Sequence, residues 1–246
     1  MLVSALVYAG LLTAFIGAVS VLKPLGFLRI RTRRTAALVL ALGLVVVFVG
    51  WSLPARELRV ASPSTQLDRY MPAYQFHERH SIRVSASPRT VDSAIRAVTA
   101  DEIEFFRLLT WIPRMGRPGP ESITNPPEGV PLMEVATRTS FLLLADEPDR
   151  EIVIGTAVVA PSGWQPKGRP TPEGFRRLHE PGFVLAAMNF RIEVDGQGST
   201  VTTETRVYAT DDPMCRAFAP YWRTIYPGSA LIRHMWLKAI RRRAES

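Results

Sequence analysis

Two uncharged apolar runs, residues 1–22 and 35–53, open the chain, and the short segment between them holds Lys23, Arg29, Arg31, Arg33 and Arg34. In helical form each run rises about 1.5 Å per residue and reaches across a hydrocarbon core roughly 30 Å thick. The expected helices cover about residues 2–22 and 35–53, so that residues 1–54 form a transmembrane hairpin. A signal peptide would carry a basic region before its apolar stretch and a small-residue cleavage site after it. Met1-Leu2-Val3-Ser4 has no positive charge, and nothing like a cleavage site follows the second run. A buried core hairpin would need a core able to hide both helices all round, which the remaining residues could hardly build.

Orientation follows from the basic residues, because Lys and Arg resist translocation. Five lie in the connector and none before the first helix, while the stretch after the second mixes Arg56 and Arg59 with Glu57. The connector 23–34 is therefore expected in the cytoplasm and the large C-terminal domain in the periplasm, in a multi-pass inner-membrane protein. Within the helices, Ala14 with Ala18 and Gly43 with Gly50 are small residues suited to close helix contact.

The net charge of +8 looks like a nucleic-acid signal until it is divided. The connector supplies five of those charges and no acid precedes Glu57, so the outer residues carry little excess and no nucleic-acid partner is expected. The basic run Lys238, Arg241, Arg242 and Arg243 suits the negative end of a helix dipole, or anionic headgroups. One cysteine, Cys215, and four scattered histidines give no metal-ligand spacing. No metal or cofactor is called for, and the partners expected are the bilayer and a small molecule.

Residues 55–75 lack periodicity and read as a linker. In residues 76–86, Ile82, Val84 and Ala86 alternate with Arg83 and Ser85, the pattern of a strand with one buried face. Ser87-Pro88 opens a helix with Val91, Ala94, Ile95 and Val98 on one side. Residues 103–112 read as a strand, and 113–131, dense in Pro and Gly, as irregular. Residues 140–145 and 151–160 flank an Asp146–Asp149 turn, a hairpin, and a second Pro/Gly loop covers 161–172. The clearest hairpin joins 182–194 to 199–210 across Asp195-Gly196-Gln197-Gly198. It puts Met188, Phe190, Ile192 and Val194 with Val201, Thr203 and Thr205, and leaves Asn189, Arg191, Glu193, Thr202, Glu204 and Arg206 on a wetter face. Asp211 and Asp212 can cap a final helix running to about Ala244, with Pro213 in its first turn and a bend at Pro227-Gly228. Its stripe is Phe218, Trp222, Ile225, Ser229, Ile232, Trp236 and Ile240.

This order of elements resembles the START-like helix-grip (SRPBCC) superfamily, specifically an uncharacterised bacterial branch anchored in the membrane. The similar strings are Glu151-Ile-Val-Ile-Gly155, Pro181-Gly182-Phe183, Thr203-Glu-Thr-Arg-Val207, and Phe218-Ala-Pro-Tyr-Trp222 through Pro227-Gly-Ser229 to Ile240-Arg-Arg-Arg-Ala244. The fold class expected is thus α+β: a two-helix transmembrane hairpin, then a helix-grip domain over 76–246. What the resemblance implies is a curved antiparallel sheet around the long helix with a hydrophobic cavity between them. Ile82, Val84, Met188, Phe190, Ile192, Thr203, Trp222, Ile225 and Trp236 would line it. Burying roughly 300 Å² of a ligand there would contribute about 7 kcal/mol gross.

The leading expectation is a membrane-anchored module that binds a hydrophobic small molecule or lipid, without catalytic residues. The alternative is a cyclase- or dehydratase-like enzyme using the same cavity. Glu78 and His80 share the side of Ile82, and a histidine beside a carboxylate suits proton transfer. The favoured account of them is a pair solvated at a strand end close to His77 and Arg79. A further alternative is a non-catalytic domain that docks an envelope protein, with Leu231 and Met235 off the main helical stripe.

Overall fold

The computed structural model describes residues 2–112, 117, 119–166 and 168–246. In chain order the elements are α1 (Leu2–Leu22), α2 (Arg33–Ser52), β1 (Leu58–Arg59), α3 (Gln66–Tyr70), β2 (Ala73–Tyr74), β3 (Phe76–Val84), α4 (Pro88–Ala97), α5 (Phe106–Trp111), α6 (Leu132–Thr139), β4 (Leu142–Glu147), β5 (Glu151–Val159), α7 (Pro172–Arg176), β6 (Val184–Asp195), β7 (Gly198–Ala209) and α8 (Asp212–Ala244). They fall into two compact units, one of Met1–Ala55 with Arg216–Pro227, the other of Arg56–Cys215 with Gly228–Ser246.

In the first unit α1 and α2, of 21 and 20 residues, are long and apolar enough to cross a membrane. The second starts two residues before the apolar run because the Thr32 hydroxyl caps it, accepting the Thr35 amide at 3.1 Å. Ser4, Val7, Gly10, Ala14, Gly17 and Ser20 form the buried stripe of α1, facing Ala36, Gly43, Val47 and Gly50 of α2. Ala14, Gly43 and Gly50 make this contact as expected, whereas Ala18 points outward and Gly10 and Gly17 take its place. The backbones meet so closely at Gly43 that an added Cβ would lie 2.7 Å from the Ala14 Cα. Gly43→Leu should therefore cost at least about 3 kcal/mol by overpacking, read as an earlier thermal transition of the detergent-solubilised chain. Gly26→Ala, which meets nothing within 4 Å, should leave that transition unmoved.

The second unit is built on an antiparallel five-stranded sheet in the order β3-β7-β6-β5-β4. The β6–β7 hairpin has the expected register, Met188 opposite Thr205, Phe190 opposite Thr203 and Ile192 opposite Val201, closed by Gly196 at φ 64°. One sheet face carries Val84, Ile152, Ile154, Met188, Phe190 and Ile192. These pack with Val91 and Ile95 of α4, Leu132 and Met133 of α6, and Trp236, Leu237 and Ile240 of α8. The last helix starts where expected, the Asp211 carboxylate accepting the Met214 amide at 2.8 Å with Pro213 in the first turn, and continues through both Pro220 and Pro227.

Three expectations change. Residues 103–112 hold α5 instead of a strand, since the buried positions Ile103, Phe106 and Thr110 recur at three and four residues, the helical period. The irregular stretch 113–131 lies partly outside the described residues. Residues 55–75 are no free linker: they form β1, α3 and β2, and α3 lies on the second sheet face. There Leu67 and Met71 pack with Leu144, Val153, Phe183 and Leu185. That face is consequently covered at Asn189, Thr202 and Arg206, while Glu193 stays exposed. The Glu151 carboxylate, 3 % exposed, accepts the Gln66 and Leu67 amides and the Asn189 side-chain amide. Arg206 donates to Asp68 at 2.8 Å, to Glu204 at 2.6 Å and to the Met71 carbonyl, with its guanidinium 4.8 Å from the Tyr74 ring centre.

Candidate functional site

Alternation along β3 puts Phe76, Glu78, His80, Ile82 and Val84 on the core-facing side, so a carboxylate and an imidazole enter a surface that is otherwise apolar. Glu78 is 2 % exposed. Burial of a charge at that depth demands partners, and α8 supplies two of them one turn apart. Ser229 donates to Glu78 Oε1 at 2.6 Å, and Arg233 Nε stands 3.6 Å from the same oxygen. His80 Nε2 lies 3.9 Å from Oε2, beyond hydrogen-bond reach. Arg233 also leans over Trp236, its guanidinium carbon 5.5 Å from the ring centre. Burial pushes the Glu78 carboxyl up, but His80, Arg233 and Ser229 outweigh it and hold it below its usual range. Burial lowers the Arg233 guanidinium in turn, against the pull of Glu78.

The network is incomplete. Glu78 Oε2, His80 Nε2, Thr205 Oγ1, Arg233 Nη1 and Trp236 Nε1 are buried, and none has a hydrogen-bond partner among the described residues. Thr205 sits directly across from Glu78 on β7. Most buried polar atoms in proteins are satisfied, so five unsatisfied ones drawn from two strands and one helix mark this spot as unusual. The set contains obligate donors in Arg233 and Trp236, an obligate acceptor in ionised Glu78, and groups able to do either in Thr205 and His80. It is complementary to a neutral polar group that both donates and accepts. The side chains of His80 and Arg233 keep 22 % and 14 % of their surface in solvent, which gives the cluster an outer edge.

The residues expected to line a cavity fall into three groups. Val84, Met188, Phe190, Ile192 and Trp236 are packed on one another, with Phe190 and Trp236 in a T-shaped contact at 5.0 Å, and Ile82 rests against them. Thr203 spends its hydroxyl on the Asn189 carbonyl. Trp222 and Ile225 belong to the unit that contains the hairpin. The stretch of α8 from Ile232 to Ile240 thus packs on this apolar core, and the unsatisfied polar atoms gather at the Glu78 end. Ser229 was visible in the helical stripe, but Thr205 and Arg233 were missed. The available signal was Glu78 itself: a carboxylate in a buried register position requires a cation, and Arg233 lies one turn beyond Ser229.

A separate open groove of about 590 Å³ lies at the β4 edge, lined by Phe141, Leu142, Trp164, Phe175 and Leu178 with Thr156. Pro166, Gly168, Arg169 and Pro170 of the second Pro/Gly loop line one side of it. Among the described residues, no group of three or more His, Cys, Asp or Glu could hold a metal ion.

No family model and no curated protein matches the chain. Among solved structures, the crystal structure of TTHA0849 from Thermus thermophilus is a similar chain, 12 % identical over 69 % of this chain and 97 % of its own, with a TM-score of 0.28.

Proposed function

We propose that this is a membrane-anchored, START-like helix-grip module that binds a hydrophobic small molecule or lipid bearing a neutral polar group. The ligand enters between the sheet and the C-terminal part of α8, and its polar group meets the Glu78–Arg233 cluster. The hairpin holds the module in the inner membrane with the connector 23–34 in the cytoplasm, so that the domain works in the periplasm beside a leaflet where apolar ligands concentrate. The observation that carries this reading is the convergence of five buried, unsatisfied polar atoms on one edge of an apolar core. Leaving such groups unpaired costs about 1–3 kcal/mol each, a reserve that a ligand's hydroxyl or carbonyl recovers. Entry requires α8 to part locally from β3 and β7, a rearrangement of a kind common in binding proteins.

The test is native mass spectrometry of the detergent-purified full chain after incubation with extracted lipids. A retained apolar species is expected, with occupancy about tenfold lower in Thr205→Val, which keeps the shape and deletes one hydrogen-bonding group. Equal occupancy in that variant, with loss in Trp164→Ala, would move the site to the β4 groove.

The shared core-facing side of His80 and Glu78 favours a second reading, a cyclase- or dehydratase-like enzyme in which their 3.9 Å separation tightens around substrate and the pair transfers a proton. The fate of the bound species separates the two: an unchanged species is expected under the binding reading, and under the enzymatic one a species converted by the wild-type chain and left unconverted by His80→Ala.

A further inference from the structure

The compact unit that holds the hairpin also includes Arg216–Pro227 of α8, and specific bonds tie the two together. Arg223, 4 % exposed, donates to the carbonyls of Gly50 at 2.9 Å, Trp51 at 2.7 Å and Leu53 at 2.7 Å. These are the carbonyls that the end of α2 leaves without helical partners, at the negative pole of its dipole. On the other helix, the Tyr8 hydroxyl donates to the Thr224 carbonyl at 2.5 Å.

These anchors fix a level along the hairpin. Gly50 faces Val7 and Gly43 faces Ala14, so Tyr8 and Trp51 belong to the same end. Trp51 is the next-to-last residue of α2, and Arg223 binds the carbonyls at that helix end. In a span just long enough to cross the hydrocarbon core, the end of the helix is where chain and headgroup regions meet. The α8 segment held there is chemically matched to it. Between Ala217 and Pro227 its only charged residue is Arg223, already engaged with α2, and it carries Phe218, Tyr221, Trp222 and Tyr226. These rings pack in series, Phe218 with Tyr221 at 5.3 Å and Trp222 with Tyr226 at 6.1 Å, while Tyr221 remains 53 % exposed. Exposed Tyr8 and Trp51 add two more amphipathic rings at the same level. Trp and Tyr concentrate at membrane–water interfaces because an apolar ring with a polar tip suits both sides.

We infer that residues 217–227 of α8 are a membrane-interface seat: the aromatic middle of the helix lies in the headgroup region of the leaflet, held at that depth by Arg223 on the end of α2. The inference rests on the hairpin spanning the bilayer and deepens the anchoring part of the proposed function. The long helix is then itself part of the anchor, in addition to the two apolar spans.

Depth-dependent quenching tests it in the full chain reconstituted in phosphatidylcholine vesicles. With Cys215→Ala as background, a fluorophore is placed at Tyr221→Cys, Leu44→Cys or Gln197→Cys, and nitroxide is carried on the lipid headgroup or near the middle of the acyl chain. Leu44, exposed in the middle of α2, should lose most of its emission to the deep quencher, and Gln197, in the β6–β7 turn, should lose none to either. Tyr221 should lose most to the headgroup quencher and little to the deep one. A Tyr221 label as bright as that at Gln197 would overturn the inference, as would one quenched at the depth of Leu44. Should Leu44 also escape quenching, the spanning hairpin falls with it. A quenched Leu44 beside an unquenched Tyr221 would remove the interface seat alone.

Discussion

Glu78→Leu should destabilise the sheet domain by about 3–5 kcal/mol, because it leaves the Arg233 guanidinium buried without its carboxylate. On a domain of this size that corresponds to a thermal midpoint lower by about 10 °C, followed by tryptophan fluorescence of the full chain in detergent. The paired variant Glu78→Leu/Arg233→Met removes both charges and fills their space with apolar atoms. It should regain most of the loss, since exchanging a buried ion pair for packed hydrophobes is commonly neutral or stabilising. The same paired variant should not regain ligand occupancy. That dissociation of stability from binding is expected if the pair is kept for recognition. A double variant no more stable than Glu78→Leu would show that the two side chains do not act on each other.

The other large effect is expected on the opposite face of the sheet. Arg206→Met leaves Asp68 and Glu204 without their shared cation and frees the Met71 carbonyl, a loss of about 3–5 kcal/mol. Its signature is local: amides of Gln66–Tyr70 should lose hydrogen-exchange protection and residues 55–75 should become cleavable by protease, while the amides of α1 and α2 exchange as before. Unchanged protection at 66–70 would mean that apolar packing of Leu67 and Met71 alone holds this segment. Acid should act on the same clasp. Burial raises the Asp68 carboxyl, but hydrogen bonds from Ser64, Arg206 and Thr65 outweigh it and bring it from 3.8 to about 2. The unfolded chain therefore binds this proton more readily than the folded one. The stabilisation is complete above pH 3.8 and fades as the pH falls toward 2. Asp68→Asn should flatten that part of the stability profile.

Local chemistry made the elements with regular periods legible in the sequence. The two apolar runs, the β6–β7 register about Asp195-Gly196-Gln197-Gly198 and the Asp211 cap all appear where the residues place them. Period and capping are properties of neighbours along the chain, so no tertiary knowledge is needed to read them. Residues 103–112 misled because a short apolar run fits both periods, and only the positions that become buried choose between them.

The sequence by itself determined the hairpin, the alternation that turns Glu78 and His80 to the core side, and the stripe that brings Ser229 and Trp236 to the face of α8. Tertiary structure alone decided that α3 covers the far face of the sheet, that Phe190 and Trp236 close on each other, and that Arg233 meets Glu78 while Arg223 meets the end of α2. The physical reason is the range of the forces. Periodicity records which side of an element prefers to leave water, but an ion pair between residues 155 positions apart in the chain exists only once packing has brought the two elements within a few ångströms.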